Sequence, residues 1–295
     1  MTLTMPMPID GSTQLLAVLG HPIQHSLSPA MHNAALAELG LNWRYLALDV
    51  APARLAEALP GLAAIGCKGL SITIPHKETV APLLQSLDPV AGQLGAVNAL
   101  VPDGQGGWHG TNTDWLGFLA PLRGRNFAGG TALVLGSGGV VRAVLRSCAE
   151  LGIARVVLRG RQLAKLEALA EAVASWAPPL ELRSWDEPLD GVLASTQLVV
   201  NGTPLGMGQW RHQSPLSTAQ LEQLPAGALV YDVVYTPRPT KLLIEAAQRG
   251  LATQDGLEML VQQGAVALGL WTGLGELPVA VMGEAVEQVL RQRQP

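Results

Sequence analysis

The sequence predicts an α/β protein of two domains, each built on a sheet of mostly parallel strands with helices packed against it. The chain has 295 residues, a length typical of about two domains. Apolar, strand-like runs alternate with helix-like segments, which favours parallel sheets. The almost wholly apolar run Thr131–Leu135 starts a second such series, as expected for a strand buried on both faces.

The first series opens with a strand and a helix. Leu15–Leu19 is a short apolar strand. Ser28-Pro29 supplies an N-cap and a proline suited to the first turn of a helix that runs to Gly40. A second strand is expected near Arg44–Val50, and a helix near Ala53–Leu59. This order of elements indicates a β-α-β arrangement with parallel strands.

The next strand lies within Gly69–Lys77, where a β-prone run stops at a proline. Because Pro75 cannot continue a central ladder, Lys77 should project just beyond the sheet, where pockets of α/β proteins form. A strand follows near Ala96–Pro102. We place the end of the first domain near Trp115, at the start of a further helix.

The second series begins with the strand Thr131–Leu135, the turn Gly136–Gly139, a helix over Val140–Leu151 and a strand at Arg155–Leu158. Glycines in such a turn let the backbone approach a pyrophosphate, whose charge is met by free N–H groups and the helix dipole. A strand, glycine turn and helix in this order predict a doubly wound Rossmann domain that binds a dinucleotide.

The end of the next strand distinguishes the two nicotinamide coenzymes. A carboxylate there would accept a hydrogen bond from the ribose of NAD, whereas the extra phosphate of NADP needs cationic donors. The chain has Arg159-Gly160-Arg161 and, one helical turn later, Lys165, with no acid among them. We therefore predict NADP as the coenzyme.

Composition argues against several other classes of protein. The formal net charge of −4 and the scattered basic residues provide no surface for nucleic acid. Cys67 and Cys148 are too few and too far apart for a disulfide framework or a zinc site, so we predict no metal and a reducing compartment. Met1–Gly11 has no signal-peptide pattern, and Met259–Gly275 reads as a buried helix. We expect a cytoplasmic protein with no membrane contact.

Short motifs at the predicted element ends resemble the shikimate dehydrogenase family in type and order, over nearly the whole chain. That family reads roughly SxSP, NVTxPxK, AVN and NTD in its substrate domain. The matching blocks here are His25–Pro29, Gly69–Lys77, Ala96–Ala99, Gly110–Asp114, Gly136–Gly139, Asn201–Met207, Tyr231–Tyr235 and Asp255–Gln263. Two positions depart from the family pattern, since Ser71 and Gly160 each replace an asparagine. Val141 breaks the strict glycine fingerprint of dinucleotide-binding turns, but the family itself tends to read GAGGAxRA, which this chain fits at its glycines.

The resemblance implies hydride transfer to a ketone, with Lys77 and Asp114 as the catalytic pair. Such a reaction leaves an alkoxide that must be stabilised and protonated, and an ammonium beside a carboxylate can do both. Which of the two side chains moves the proton is left open by the sequence. The residues implied to bind substrate are Ser26, Ser28, Ser71, Thr73, Asn98, Tyr235 and Gln263, with Ser26 and Ser28 at the substrate carboxylate and Ser71 as a secondary contact.

The resemblance also extends the set of coenzyme contacts. This set includes the glycine turn, the cationic residues at the end of the next strand, and the backbone expected near the nicotinamide. The full set is Gly136, Ser137, Gly138, Gly139, Val140, Arg159, Arg161, Lys165, Thr203, Met207, Val233 and Gly256.

The activity implied is the reversible NADPH-dependent reduction of 3-dehydroshikimate to shikimate in aromatic amino acid and chorismate biosynthesis. The substrate domain is expected to comprise residues 1–114 and 254–295, with C-terminal helices that return to it, and the NADP domain residues 115–253. Two alternatives remain, a quinate/shikimate dehydrogenase of broader substrate range and a non-catalytic NADP-binding sensor on the same fold. The chain is expected to be a monomer or a homodimer.

Overall fold

The computed structural model describes residues 8–293, and their contacts divide the chain into two compact units. Unit 1 takes the chain up to Gly117 and from Val261 onward, and unit 2 takes Phe118–Leu260. Most of the N-terminal segment in which we found no signal-peptide pattern lies outside the described residues. No helix within residues 8–293 is long and apolar enough to cross a membrane.

The described residues form twelve strands and ten α-helices, numbered separately in chain order. The strands are β1 Gln14–Gly20, β2 Trp43–Asp49, β3 Gly69–Ile72, β4 Ser86–Leu87, β5 Ala99–Pro102, β6 Trp108–Thr111, β7 Thr131–Leu135, β8 Arg155–Gly160, β9 Leu180–Ser184, β10 Thr196–Asn201, β11 Leu229–Asp232 and β12 Ala252–Gln254. The helices are α1 Ser28–Glu38, α2 Leu55–Ala64, α3 Pro89–Leu94, α4 Asp114–Leu119, α5 Gly139–Glu150, α6 Leu163–Val173, α7 Thr218–Leu221, α8 Lys241–Ala247, α9 Leu257–Thr272 and α10 Val279–Arg293.

Unit 1 is built on a mixed six-stranded sheet in the order β2-β1-β3-β5-β6-β4. β1 pairs in parallel with β2 and β3, and β4 pairs in parallel with β6. β5 runs antiparallel to both β3 and β6. β5 and β6 are joined by a tight loop in which Asp103 Oδ1 accepts hydrogen bonds from the backbone N–H groups of Gln105 and Gly107. A connection this short can join only antiparallel strands.

Unit 2 contains a six-stranded, wholly parallel sheet in the order β12-β11-β10-β7-β8-β9. Alternate residues of its central strand β7 belong to different apolar clusters. Ala132 and Val134 pack in one cluster, and Leu133 and Leu135 pack in the other. Both faces of the sheet are therefore covered, which is why the strand is apolar without alternation. The predicted fold class, two α/β domains of which one is doubly wound, is confirmed.

The start of α1 differs from the sequence prediction. Ser28 is the first helical residue rather than the N-cap, which is Leu27 and makes no side-chain capping bond. The backbone N–H of Ser28 donates instead to Ser26 Oγ at 3.3 Å. A serine two residues earlier therefore satisfies one of the free N–H groups of the first turn, and the prediction of Ser28 as the cap was wrong.

Candidate active site and nucleotide-binding turn

The predicted catalytic pair is in contact in unit 1. Lys77 Nζ donates to Asp114 Oδ2 at 2.6 Å, with the lysine side chain 23% exposed and the aspartate 8%. Lys77 follows β3, and its carbonyl accepts a hydrogen bond from Val97 N at 2.8 Å, which ties this loop to the segment before β5. Asp114 begins α4, and its backbone N–H donates to Asn112 Oδ1. Both side chains are thus held by backbone contacts at strand and helix ends.

Asn98 is the hub that links this pair to the C-terminal segment. Its Nδ2 lies 2.8 Å from Asp114 Oδ1, 3.0 Å from Thr113 Oγ1 and 3.3 Å from Gln263 Oε1. Its Oδ1 accepts a bond from Thr113 N at 2.7 Å. Lys77, Asn98, Asp114 and Gln263 therefore form one continuous polar cluster, in which the carboxylate of Asp114 accepts a protein hydrogen bond on each oxygen.

A second polar group in unit 1 consists of hydroxyls. Ser71 is buried on β3, and its Oγ accepts a 2.7 Å hydrogen bond from the hydroxyl of Tyr45. Ser28 is a second hydroxyl neighbour of the Tyr45 oxygen, and Ser26 contacts Ser28 through the backbone bond described above. Thr73 is half-buried beyond the end of β3, with its N–H bonded to Leu19 O.

The glycine turn of unit 2 requires glycine at one position and leaves open space at another. Gly136 has a φ of +116°, and a Cβ there would lie 2.9 Å from the carbonyl oxygen of Gly202, so this position requires glycine. Gly138 has a φ of −82°, and a Cβ there would meet nothing within 4 Å. Neither backbone nor packing accounts for glycine at position 138, at the N-terminus of α5. A phosphate lying against the backbone there would account for it.

The three cationic residues at and after the end of β8 differ in exposure, since Arg159 is buried and Arg161 and Lys165 are exposed. The guanidinium of Arg159 is buried and donates to the backbone carbonyls of Ser184, Trp185 and Glu187, and it lies 5.2 Å from the centre of the Trp185 ring. Burial lowers the pKa of Arg159. This placement gives Arg159 a role in holding the loop after β9. Arg161 and Lys165 are exposed, and the prediction of NADP rests on them.

The loops after β10 and β11 are tied together within unit 2. Asn201 Nδ2 donates to Asp232 Oδ1 at 2.9 Å, while Asn201 Oδ1 accepts bonds from the backbone and hydroxyl of Thr203. A Cβ at Gly256 would overlap the carbonyl of Val233, which explains the glycine at that position. Met207 is 45% exposed, a large fraction for an apolar side chain in a loop.

Asp232 sits at the centre of this arrangement, with 0% of its surface exposed. Burial raises its pKa to about 6, against the hydrogen bonds from Thr240, Val234 and Asn201 that favour the ionised form. Tyr235, predicted to bind substrate, also lies in unit 2 and is half-buried. Its role remains a prediction.

Some residues of the unit 1 clusters were not singled out from the sequence. Asn112 and Thr113 were part of a matching motif, but only their hydrogen bonds to Asp114 and Asn98 show what they hold. Tyr45 lies in a strand without a motif, and no local signal marks it. Within residues 8–293, no group of three or more His, Cys, Asp or Glu side chains is placed to hold a metal ion.

Family models match both ends of the chain. A model described as the shikimate dehydrogenase substrate binding domain matches residues 18–100. A second, described as the shikimate 5'-dehydrogenase C-terminal domain, matches residues 256–287.

Similar proteins and structures cover almost all of the chain. The shikimate dehydrogenase (NADP(+)) of Synechococcus sp. (strain JA-3-3Ab) is 51% identical over 287 residues, which are 96% of this chain and 97% of that protein. The shikimate 5-dehydrogenase of Thermus thermophilus, in complex with NADP(H) and shikimate, is 38% identical with a TM-score of 0.82, covering 94% and 100% of the two chains. That of Listeria monocytogenes, in complex with shikimate and NAD, is 32% identical with a TM-score of 0.87, covering 97% and 99%. The chain belongs to the shikimate dehydrogenase family.

Proposed function

We propose that this chain is an NADP-dependent oxidoreductase that interconverts 3-dehydroshikimate and shikimate, with substrate bound by unit 1 and coenzyme by unit 2. The observation that carries the proposal is the 2.6 Å contact between Lys77 and Asp114, braced by Asn98. An ammonium and a carboxylate held together at the end of a strand can stabilise the negative charge on a substrate oxygen and transfer its proton. Membership in the family supports the choice of substrate.

Lys77 is the donor to the reacting oxygen. An ammonium has three donors and Asp114 takes one, which leaves two for a substrate oxygen. In the direction of reduction, Lys77 hydrogen-bonds the carbonyl oxygen, stabilises the negative charge that develops on it, and delivers the proton. In the direction of oxidation, it accepts that proton. The coenzyme supplies or accepts the hydride when it is bound.

Asp114 orients Lys77 and has room for one more donor. Its two oxygens already accept bonds from Lys77 and Asn98, and a carboxylate has lone pairs for further donors. A hydroxyl on the substrate ring is suited to that position. Because both oxygens accept from protein donors, Asp114 is the acceptor of the pair and Lys77 is the proton carrier in this proposal.

The residues of unit 2 fit a dinucleotide with an added phosphate. Gly138 leaves open space at the N-terminus of α5, where free N–H groups can bind a pyrophosphate. Arg161 and Lys165 are exposed beyond β8, and residues 159–165 include no acid that could accept a hydrogen bond from a ribose hydroxyl. Thr203, Met207, Val233 and Gly256 lie in or beside the connected loops after β10 and β11. We place the nicotinamide ring against those loops.

The proposal is tested by steady-state oxidation of shikimate and of quinate, each with NADP and with NAD. We expect the largest kcat/KM for shikimate with NADP. A larger value for quinate would favour a quinate dehydrogenase, and a larger value with NAD would remove the role given to Arg161 and Lys165. Binding of NADP without turnover of either substrate would contradict the proposal and favour a sensor.

A further inference from the structure

Tyr45 is a fully buried tyrosine whose hydroxyl faces two of the proposed substrate residues. It lies on β2 with 0% of its surface exposed, and its hydroxyl donates to Ser71 Oγ at 2.7 Å. Ser28, on the first turn of α1, is the other hydroxyl near the Tyr45 oxygen. Tyr45 therefore connects a strand residue and a helix residue that are both proposed to contact substrate.

The position of the Tyr45 hydroxyl is fixed by its surroundings. The side chain of Asn33 makes two bonds to the backbone of Tyr45, since Asn33 Nδ2 donates to Tyr45 O and Tyr45 N donates to Asn33 Oδ1, each at 2.9 Å. The Tyr45 ring stacks on His32 with a centroid distance of 4.2 Å and an interplanar angle of 13°. Trp271 packs on the pair at an inclined angle, and its Nε1 donates to Leu100 O. Little rotational freedom is left to the phenol.

The directions of the hydrogen bonds decide what the serines can offer. Burial raises the pKa of Tyr45, so its phenol stays protonated and remains a donor. A serine hydroxyl has one proton and two lone pairs. Because Ser71 Oγ accepts from Tyr45, its own proton remains available to another acceptor. A carboxylate accepts hydrogen bonds and donates none, so it is the substrate group that this arrangement suits.

We propose that Tyr45 is a positioning residue for the substrate carboxylate, holding the hydroxyl of Ser71 so that its proton is donated to that carboxylate. This inference rests on the proposed function, in which shikimate is the substrate. It moves Ser71 from a secondary contact into the carboxylate site and gives the motif-free strand β2 a part in substrate binding. A neutral hydroxyl ordered by a buried phenol binds the anion without a buried cation.

The test is Tyr45→Phe, which removes one oxygen and keeps the ring. Loss of one ordering hydrogen bond should raise KM for shikimate about three- to tenfold, with kcat and KM for NADP within about twofold of the wild type. Tyr231→Phe is the matched control. Tyr231 is also fully buried and stacks on Phe118, in unit 2, and its hydroxyl has no hydrogen-bond partner among the described residues. That variant should leave all three parameters unchanged.

Two further measurements separate positioning from a merely structural role. With the methyl ester of shikimate, which carries no anionic carboxylate, the KM ratio between Tyr45→Phe and wild type should fall to about one. Ser71→Ala should raise KM for shikimate by a similar factor, and the double variant should add little, because both changes remove the same contact. Thermal midpoints of all variants check the fold.

Each possible outcome decides between the two proposals. If the wild type does not oxidise shikimate with NADP, the proposed function fails. If it does, the positioning role is overturned by a KM for Tyr45→Phe within twofold of wild type, by an equal loss with the ester, or by a loss confined to kcat. A multiplicative loss in the double variant would also overturn it, because it would show that Tyr45 and Ser71 act separately.

Discussion

Replacing Lys77 by alanine tests the catalytic assignment most directly. The change removes the 2.6 Å partner of Asp114 and the only donor that the proposal assigns to the reacting oxygen. General acid–base catalysis contributes about a hundred- to ten-thousand-fold, so kcat should fall by that factor, about 2.7 to 5.5 kcal/mol in the barrier. KM for NADP should barely change, because every residue proposed to bind the coenzyme lies in unit 2.

The assay is steady-state oxidation of shikimate at saturating NADP, with thermal midpoints to exclude loss of fold. Lys68→Ala is the matched control, since Lys68 is an exposed lysine just before β3, whereas Lys77 follows that strand. It should keep wild-type turnover. Asp114→Asn should also lose activity, because an asparagine has one acceptor oxygen where the aspartate has two. If that oxygen accepts from Asn98, the N–H₂ group faces the ammonium of Lys77, which is also a donor. A Lys77→Ala variant that retains more than a tenth of wild-type kcat would refute the reasoning.

Three other changes probe unit 2. Arg161→Ala removes a charge-assisted contact to the extra phosphate, so KM for NADP should rise about tenfold or more while KM for NAD stays within twofold; equal losses with both coenzymes would contradict this. Gly256→Ala forces a Cβ against the carbonyl of Val233, so we expect a lower thermal midpoint and a higher KM for NADP. Gly61→Ala is the control and should change neither, because a Cβ at position 61 meets nothing within 4 Å. Asp232→Asn tests pH dependence. Its folded-state pKa of about 6 lies above the ordinary 3.8, so the stability that protonated Asp232 contributes is complete below about pH 4 and is lost as the pH rises through 6. The thermal midpoint of Asp232→Asn, measured relative to that of the wild type, should therefore rise between about pH 4 and pH 7. A difference that does not change with pH would count against the raised pKa.

The elements best predicted from the sequence were those whose signal is local. β7, the glycine turn, α5 and β8 lie within a residue or two of their predicted positions, because a doubly buried strand must be apolar throughout and a tight turn needs glycine. β6 was not predicted, because the strand has only four residues, some of them polar, and contains no run of apolar residues that would mark it. Its pairing follows from the hairpin loop before it, which also sets the antiparallel direction of β5.

For the site as well, local sequence patterns predicted the residues but not the contacts between them. Motif residues at strand ends gave Lys77, Asp114 and Asn98, which the structure brings into one cluster. Their mutual geometry comes from contacts that no local pattern encodes. Asn98 and Gln263, 165 residues apart, meet through the return of the chain to unit 1. The family prediction is confirmed by relatives that match over almost all of the chain, and the roles of individual residues stay predictions that the variants above test.

Arg159 shows what burial adds to a prediction made from residue type and position. A cation at the end of β8 suits a phosphate site, and the sequence has both Arg159 and Arg161 there, of which Arg161 matches the family pattern. The structure separates them by burial, since Arg159 is buried and its Nε and Nη2 donate to backbone carbonyls at and just after the end of β9, whereas Arg161 is exposed. Those donors are no longer free for a ligand. We therefore propose that coenzyme selectivity depends on the exposed side chains of Arg161 and Lys165, and we expect it to weaken as salt screens them.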